Sequence, residues 1–108
     1  MSETDNRAQT IPAEQCQSMA EVRAGVDATD RALMALLQQR FAYMRAAARI
    51  KAEREAVRDD ARKDQVIDAA KDDALRRGVP VGLVAEIWDS LVETSIAYEL
   101  EEWDRLRA

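Results

Sequence analysis

"LLQQRFAYMRAAARIKAE", residues 36–53, carries an apolar helical stripe with two cations set against it. Leu33, Leu37, Met44 and Ala48 mark the stripe, and Arg40 and Lys51 fall on or beside it. The two cations are three helical turns apart, so their side chains leave the helix in nearly the same direction. A helix that aims cations along its inward side needs either something negative to meet them or a route to solvent.

The same periodicity extends in both directions. Apolar residues recur at Met19, Val22, Val26, Leu33, Leu36, Leu37, Phe41, Met44, Ala48 and Ile50, the spacing of an amphipathic helix. Ser18 and Glu21 have the spacing of a capping box. No proline interrupts, and the helix is expected to reach about Arg54, roughly 37 residues or about 55 Å. The charged run "REAVRDDARKD" then breaks the pattern. Asp59 or Asp60 is expected to cap a second helix over 60–77, with Val66, Ile67, Ala70 and Ala74 on its inner side. Gly78 suits the residue after that helix, and Pro80 suits the start of the next. A third helix is expected from Val81 to Arg105, with a stripe of Val84, Trp88, Leu91, Val92, Ser95, Ile96, Leu100 and Trp103. Residues 1–17 are polar, contain Pro12, and read as a flexible N-terminal arm. Residues 18–108 read as the helical domain.

Composition narrows the class. The chain has 108 residues, 3 glycines, 2 prolines and 5% aromatics, which reads as one all-α domain. A net charge of −5 argues against a general nucleic-acid binder, which needs a basic face. No apolar run is long enough for a membrane span. The polar start, without a hydrophobic signal region, reads as cytoplasmic. There is no histidine and a single cysteine, Cys16. An internal disulfide and a histidine-based triad are therefore excluded, and a zinc site is not expected. No metal and no cofactor is expected.

Length sets the expected assembly. A helix of about 55 Å is about twice the diameter of a compact domain of this size, whose radius of gyration is roughly 13 Å. Two shorter helices cannot cover its apolar side, so a second copy is expected to lay its own long helix alongside. The expected fold is thus a three-helix chain with one long N-terminal helix in an intertwined homodimer. A kink near Gly25 or after Arg40 would instead give a monomeric bundle.

The inward charges suggest a ligand. Arg23 points a quarter-turn away from the Arg40 and Lys51 line, so it reaches a partner's pocket more easily than its own. Arg62 falls in the first turn of the second helix. Ser95 and Glu99 are i, i+4 neighbours on the stripe of the third. Arg23, Arg40, Lys51 and Arg62 outnumber the inward acids, and a small dicarboxylate would supply the balance, because an Arg fork matches a carboxylate. The alternative is that these cations snorkel from an ordinary charged bundle, with Glu99 pairing structurally to an arginine.

The run "VRAGVDATDRALMALLQQRFAYMRAAARIKAE" resembles the first helix of the all-helical chorismate mutase class. That helix reads R-x2-I-D-x2-D-x2-L-x2-L-L-x2-R with a lysine further on. Here Arg23, Val26, Asp27, Asp30, Leu33, Leu36, Leu37, Arg40 and Lys51 stand in that register. The likeness continues through "VRDDARKD" into "DSLVETSIAYELEEW", covering residues 19–104. It implies an intertwined dimer with two sites, each completed by an arginine of the other chain. By the same resemblance Arg40 and Arg62 grip substrate carboxylates, and Arg23 does so across the interface. Lys51 donates to a carboxylate and to the ether oxygen. Ser95 contacts the ring carboxylate, Asp59 approaches the ring hydroxyl, and Glu99 faces the ether oxygen. One residue departs from the pattern: Lys63 stands where several mutases have a glutamate that holds the ring hydroxyl.

The implied reaction, chorismate to prephenate in aromatic amino acid biosynthesis, is a one-substrate pericyclic rearrangement. It needs no nucleophile, metal or redox cofactor. The protein must hold the reactive conformer and stabilise charge growing on the ether oxygen. The related isochorismate pyruvate lyases are the nearest rival. "YMRAAARIKA" and "IPAEQCQSMAEVR" resemble that branch, whereas Ser95 matches the mutases, and such lyases commonly carry Gln where Glu99 stands. A non-catalytic helical dimerisation module is the rival from another class.

Overall fold

The computed structural model describes residues 10–108. Three α-helices make up most of them: α1 over Met19–Ile50, α2 over Asp60–Arg77 and α3 over Val81–Leu106. Short 3-10 turns lie at Ala13–Gln15 and Arg54–Ala56, and among the described residues there is no strand. The chain divides after Arg40 into two compact units. Residues 1–9 of the expected arm lie outside the described residues.

In the first unit, the chain enters α1 through a reciprocal cap. The Glu21 amide donates to Ser18 Oγ at 3.2 Å, and the Gln17 amide donates to Glu21 Oε1 at 2.6 Å. The carboxylate thus returns one residue ahead of the expected capping-box position, to the amide just before the Ser18 cap. The backbone stays helical through Gly25 and Arg40. Within the single chain, Met19, Val22, Val26, Leu33, Met34 and Leu36 are exposed.

α1 stops at Ile50, short of the expected Arg54. The reason is tertiary. A continuing helix would need the Lys51 carbonyl as an acceptor for its next turn. That carbonyl instead accepts from Trp103 Nε1 at 3.0 Å and Arg107 Nη2 at 2.8 Å, and the Ala48 carbonyl accepts from Arg107 Nη1 at 3.1 Å.

The second unit is built around α3. Val57, Val92 and Ile96 form its buried centre, with Val66, Leu100 and Trp103 packed against them. Each such aliphatic side chain contributes about 1.5–3 kcal/mol on burial. Asp59 is the N-cap of α2, its Oδ1 accepting from the Arg62 amide at 3.0 Å. Gly78 ends α2 in the left-handed region at φ 72°, with the Val79 amide donating to the Ala74 carbonyl at 2.9 Å. Only glycine enters that region without strain from a Cβ. Pro80 then caps α3. Phe41 meets Tyr98 edge to face, with ring centroids 5.0 Å apart, and Arg45 donates to the Tyr98 hydroxyl at 2.9 Å.

Candidate active site

Lys51 and Glu99 meet at the end of α1. Lys51 Nζ lies 2.8 Å from Glu99 Oε2. The Glu99 side chain is 5% exposed and the Lys51 side chain 31% exposed, so the carboxylate is enclosed and the ammonium reaches it from the solvent side. The contact is a short ion pair between a partly exposed ammonium and a buried carboxylate oxygen.

Ser95 lies one turn before Glu99 on the same side of α3 and is equally buried, at 4% exposure. Its hydroxyl donates to the Leu91 carbonyl at 2.6 Å, a back-bond typical of serine inside a helix.

Asp59 and Arg62 form the first turn of α2. Both are exposed. Asp59 Oδ1 is engaged by the cap, and Arg62 Nη1 reaches Gln65 Oε1 at 3.5 Å. Lys63, the departure from the mutase pattern, turns to α3. Its Nζ lies 2.7 Å from Glu93 Oε2 and 3.0 Å from Asp89 Oδ1. Glu93 also takes Arg58 Nη2 at 2.6 Å. Hydrogen bonds from Arg58 and then Lys63 hold the Glu93 carboxyl down to about 2, and the same bond to Glu93 raises Lys63 above its usual value. Lys63 thus joins α2 to α3.

Arg23 and Arg40 belong to the first unit. Arg23 is exposed, Arg40 half-buried, and burial pulls the Arg40 guanidinium below its usual pKa. The same unit holds a cleft of about 680 Å³ lined by Ile11, Cys16, Val22 and Val26 among others. None of the expected site residues lines it. Its walls are mainly apolar and present no cation. Cys16 is a free, half-buried thiol there, with Sγ 3.8 Å from the Ile11 carbonyl.

The model of one protein family, described as chorismate mutase type II, matches residues 22–100 of the chain. The chain belongs to the chorismate mutase type II family. No curated protein was found to match it. The family match begins beside Arg23 and ends just past Glu99, so Arg23, Arg40, Lys51, Asp59, Arg62, Ser95 and Glu99 all lie inside it. No helix among the described residues is long and apolar enough to cross a membrane. Among the described residues, no group of three or more His, Cys, Asp or Glu is placed to hold a metal ion.

Within this chorismate mutase family chain, the second unit brings Lys51, Ser95 and Glu99 together on one side of α3, and sets Asp59 and Arg62 at the cap of α2. Three residues around them escaped the sequence reading. Arg45 and Tyr98 form a polar contact beside Glu99, and Arg107 binds the Lys51 carbonyl. No periodic signal marks donors that reach a backbone carbonyl. The Lys63 clamp was more accessible, since Asp89 and Glu93 are i, i+4 acids on one side of α3.

Proposed function

We propose that the chain is a chorismate mutase acting on chorismate as a homodimer. The observation that carries the reading is the enclosed Lys51–Glu99 pair, an ammonium 2.8 Å from a buried carboxylate inside the stretch that the family matches.

In the proposed reaction the substrate is a dianion whose two carboxylates match the cationic groups Arg40, Arg62 and Lys51, with Arg23 contributed by the second copy. These contacts fold the enolpyruvyl arm over the ring. One carbon–oxygen bond breaks while one carbon–carbon bond forms, so electrons circulate within the substrate and none are supplied from outside. Negative charge grows on the ether oxygen in the transition state. Lys51 donates to that oxygen and to a carboxylate. Glu99 donates from its other side, which requires the carboxyl to carry a proton. Ser95 supports the ring carboxylate.

Two exposed apolar surfaces support the dimer. The first unit carries Val22, Val26 and Leu33 on α1, and the second carries Leu75, Val79, Leu83 and Ile87 around the α2–α3 turn. Grouped apolar side chains of this kind mark interfaces.

The reading is tested by following the ultraviolet absorbance of chorismate and then of isochorismate with the purified chain. Chorismate should disappear with formation of prephenate. Pyruvate and salicylate from isochorismate alone would move the chain to the lyase branch, and turnover of neither would make it a non-catalytic module.

A further inference from the structure

Lys51 is the first residue past α1, where a helix end frays unless its free carbonyls are bound. Its side chain is a flexible four-carbon stem, so the placement of Nζ depends on how firmly the backbone is held. The structure holds it from one direction. Trp103 Nε1 donates to the Lys51 carbonyl at 3.0 Å, and Arg107 Nη2 donates to the same oxygen at 2.8 Å. Arg107 Nη1 reaches the Ala48 carbonyl at 3.1 Å and the Trp103 carbonyl at 3.3 Å. The guanidinium lies over the Trp103 ring, 4.1 Å from its centroid, and Ala48 beneath it is fully buried.

Glu99, Trp103 and Arg107 follow one another at i, i+4 and i+8, so they line one side of α3 and its end. Glu99 meets the lysine's ammonium and the other two meet its carbonyl. Lys51 is therefore fixed at both ends by a single rigid element. A fork that spans two carbonyls and stacks on an indole uses features that a lysine in its place would lack.

We infer that Trp103 and Arg107 are positioning residues for Lys51, setting its ammonium against Glu99 and, in turnover, against the ether oxygen. The inference rests on the mutase reading of Lys51. Neither residue touches the substrate in this role.

The test is a pair of double-mutant cycles in the full chain. Trp103→Phe removes the N–H and keeps a ring, and Arg107→Ala removes the fork. Each should lower kcat on chorismate by about 10- to 100-fold, the scale of a misplaced catalytic group, with little change in KM. Arg107→Lys should fall between wild type and Arg107→Ala. In a Lys51→Ala background the same substitutions should change residual turnover less than about twofold, because groups acting through one residue are not additive. Full additivity there would overturn the inference. Amide hydrogen exchange at Lys51 reads the clamp without any activity: exchange should quicken in both variants while the melting transition is retained. Unchanged exchange overturns the clamp whatever the enzyme does. Quickened exchange in a chain that turns over neither substrate would sustain the clamp and refute the mutase reading instead.

Discussion

Replacing Glu99 by glutamine separates a proton-donating role from a charge-pairing one. The carboxyl is nearly enclosed and lies 2.8 Å from Lys51 Nζ. The amide is close in size, so the cavity is preserved. Removing one member of a fully buried pair costs about 3–5 kcal/mol, but the Lys51 side chain is 31% exposed and keeps part of its hydration. The expected loss of stability is therefore about 1–2 kcal/mol, and the chain should remain folded. Turnover should respond differently. An ionised Glu99 repels the charge that develops on the ether oxygen, so wild-type kcat should fall about tenfold per pH unit once the bound-state carboxyl ionises. The amide of Glu99→Gln donates at every pH, and that variant should not show the fall. The ratio of variant to wild-type kcat should thus climb with pH, measured at saturating chorismate across the acid and alkaline limbs. Parallel profiles for the two proteins would refute protonated Glu99 as the donor.

Chain mixing tests the shared site. Arg23→Ala and Arg40→Ala should each lose most activity, and a 1:1 mixture after subunit exchange should recover about a quarter of wild-type turnover, since half the dimers are mixed and each mixed dimer has one intact site; no recovery after verified exchange would place Arg23 outside the partner's site. The Glu93 carboxyl, held down to about 2 by Arg58 and Lys63, has a folded-state value below its ordinary 4.5, so its contribution is present above about pH 4.5 and is lost as pH falls toward 2. Thermal melts should show that acid-side loss shrinking in Glu93→Gln, and shrinking in wild type as salt rises. Asp59→Asn preserves a good N-cap and should leave the melting temperature nearly unchanged, so a rise in KM would report contact with the ring substituent, and an unchanged KM would confine Asp59 to capping.

Most of the fold was legible because it depends on local rules. The α2 boundaries follow from Asp59, Gly78 and Pro80, and the buried side of α3 follows from the spacing of Val84, Val92, Ser95, Ile96 and Glu99. The end of α1 was not legible. It is set by Trp103 and Arg107, which lie far along the chain and act on backbone carbonyls that carry no sequence signal. The pairing of Lys51 with Glu99 was open to reading as two inward polar groups, but their 2.8 Å approach needed the packed unit. Lys63 stood out in the sequence as a departure, and its physical reason appeared only when Asp89 and Glu93 were found against it.

Proton NMR of the product mixture tests the central claim most directly. Chorismate incubated with the purified chain should convert to prephenate as the sole initial product, and Lys51→Ala, purified identically, should leave chorismate unchanged over the same period. Equal conversion by Lys51→Ala, or chorismate intact in the presence of wild type, would contradict the account.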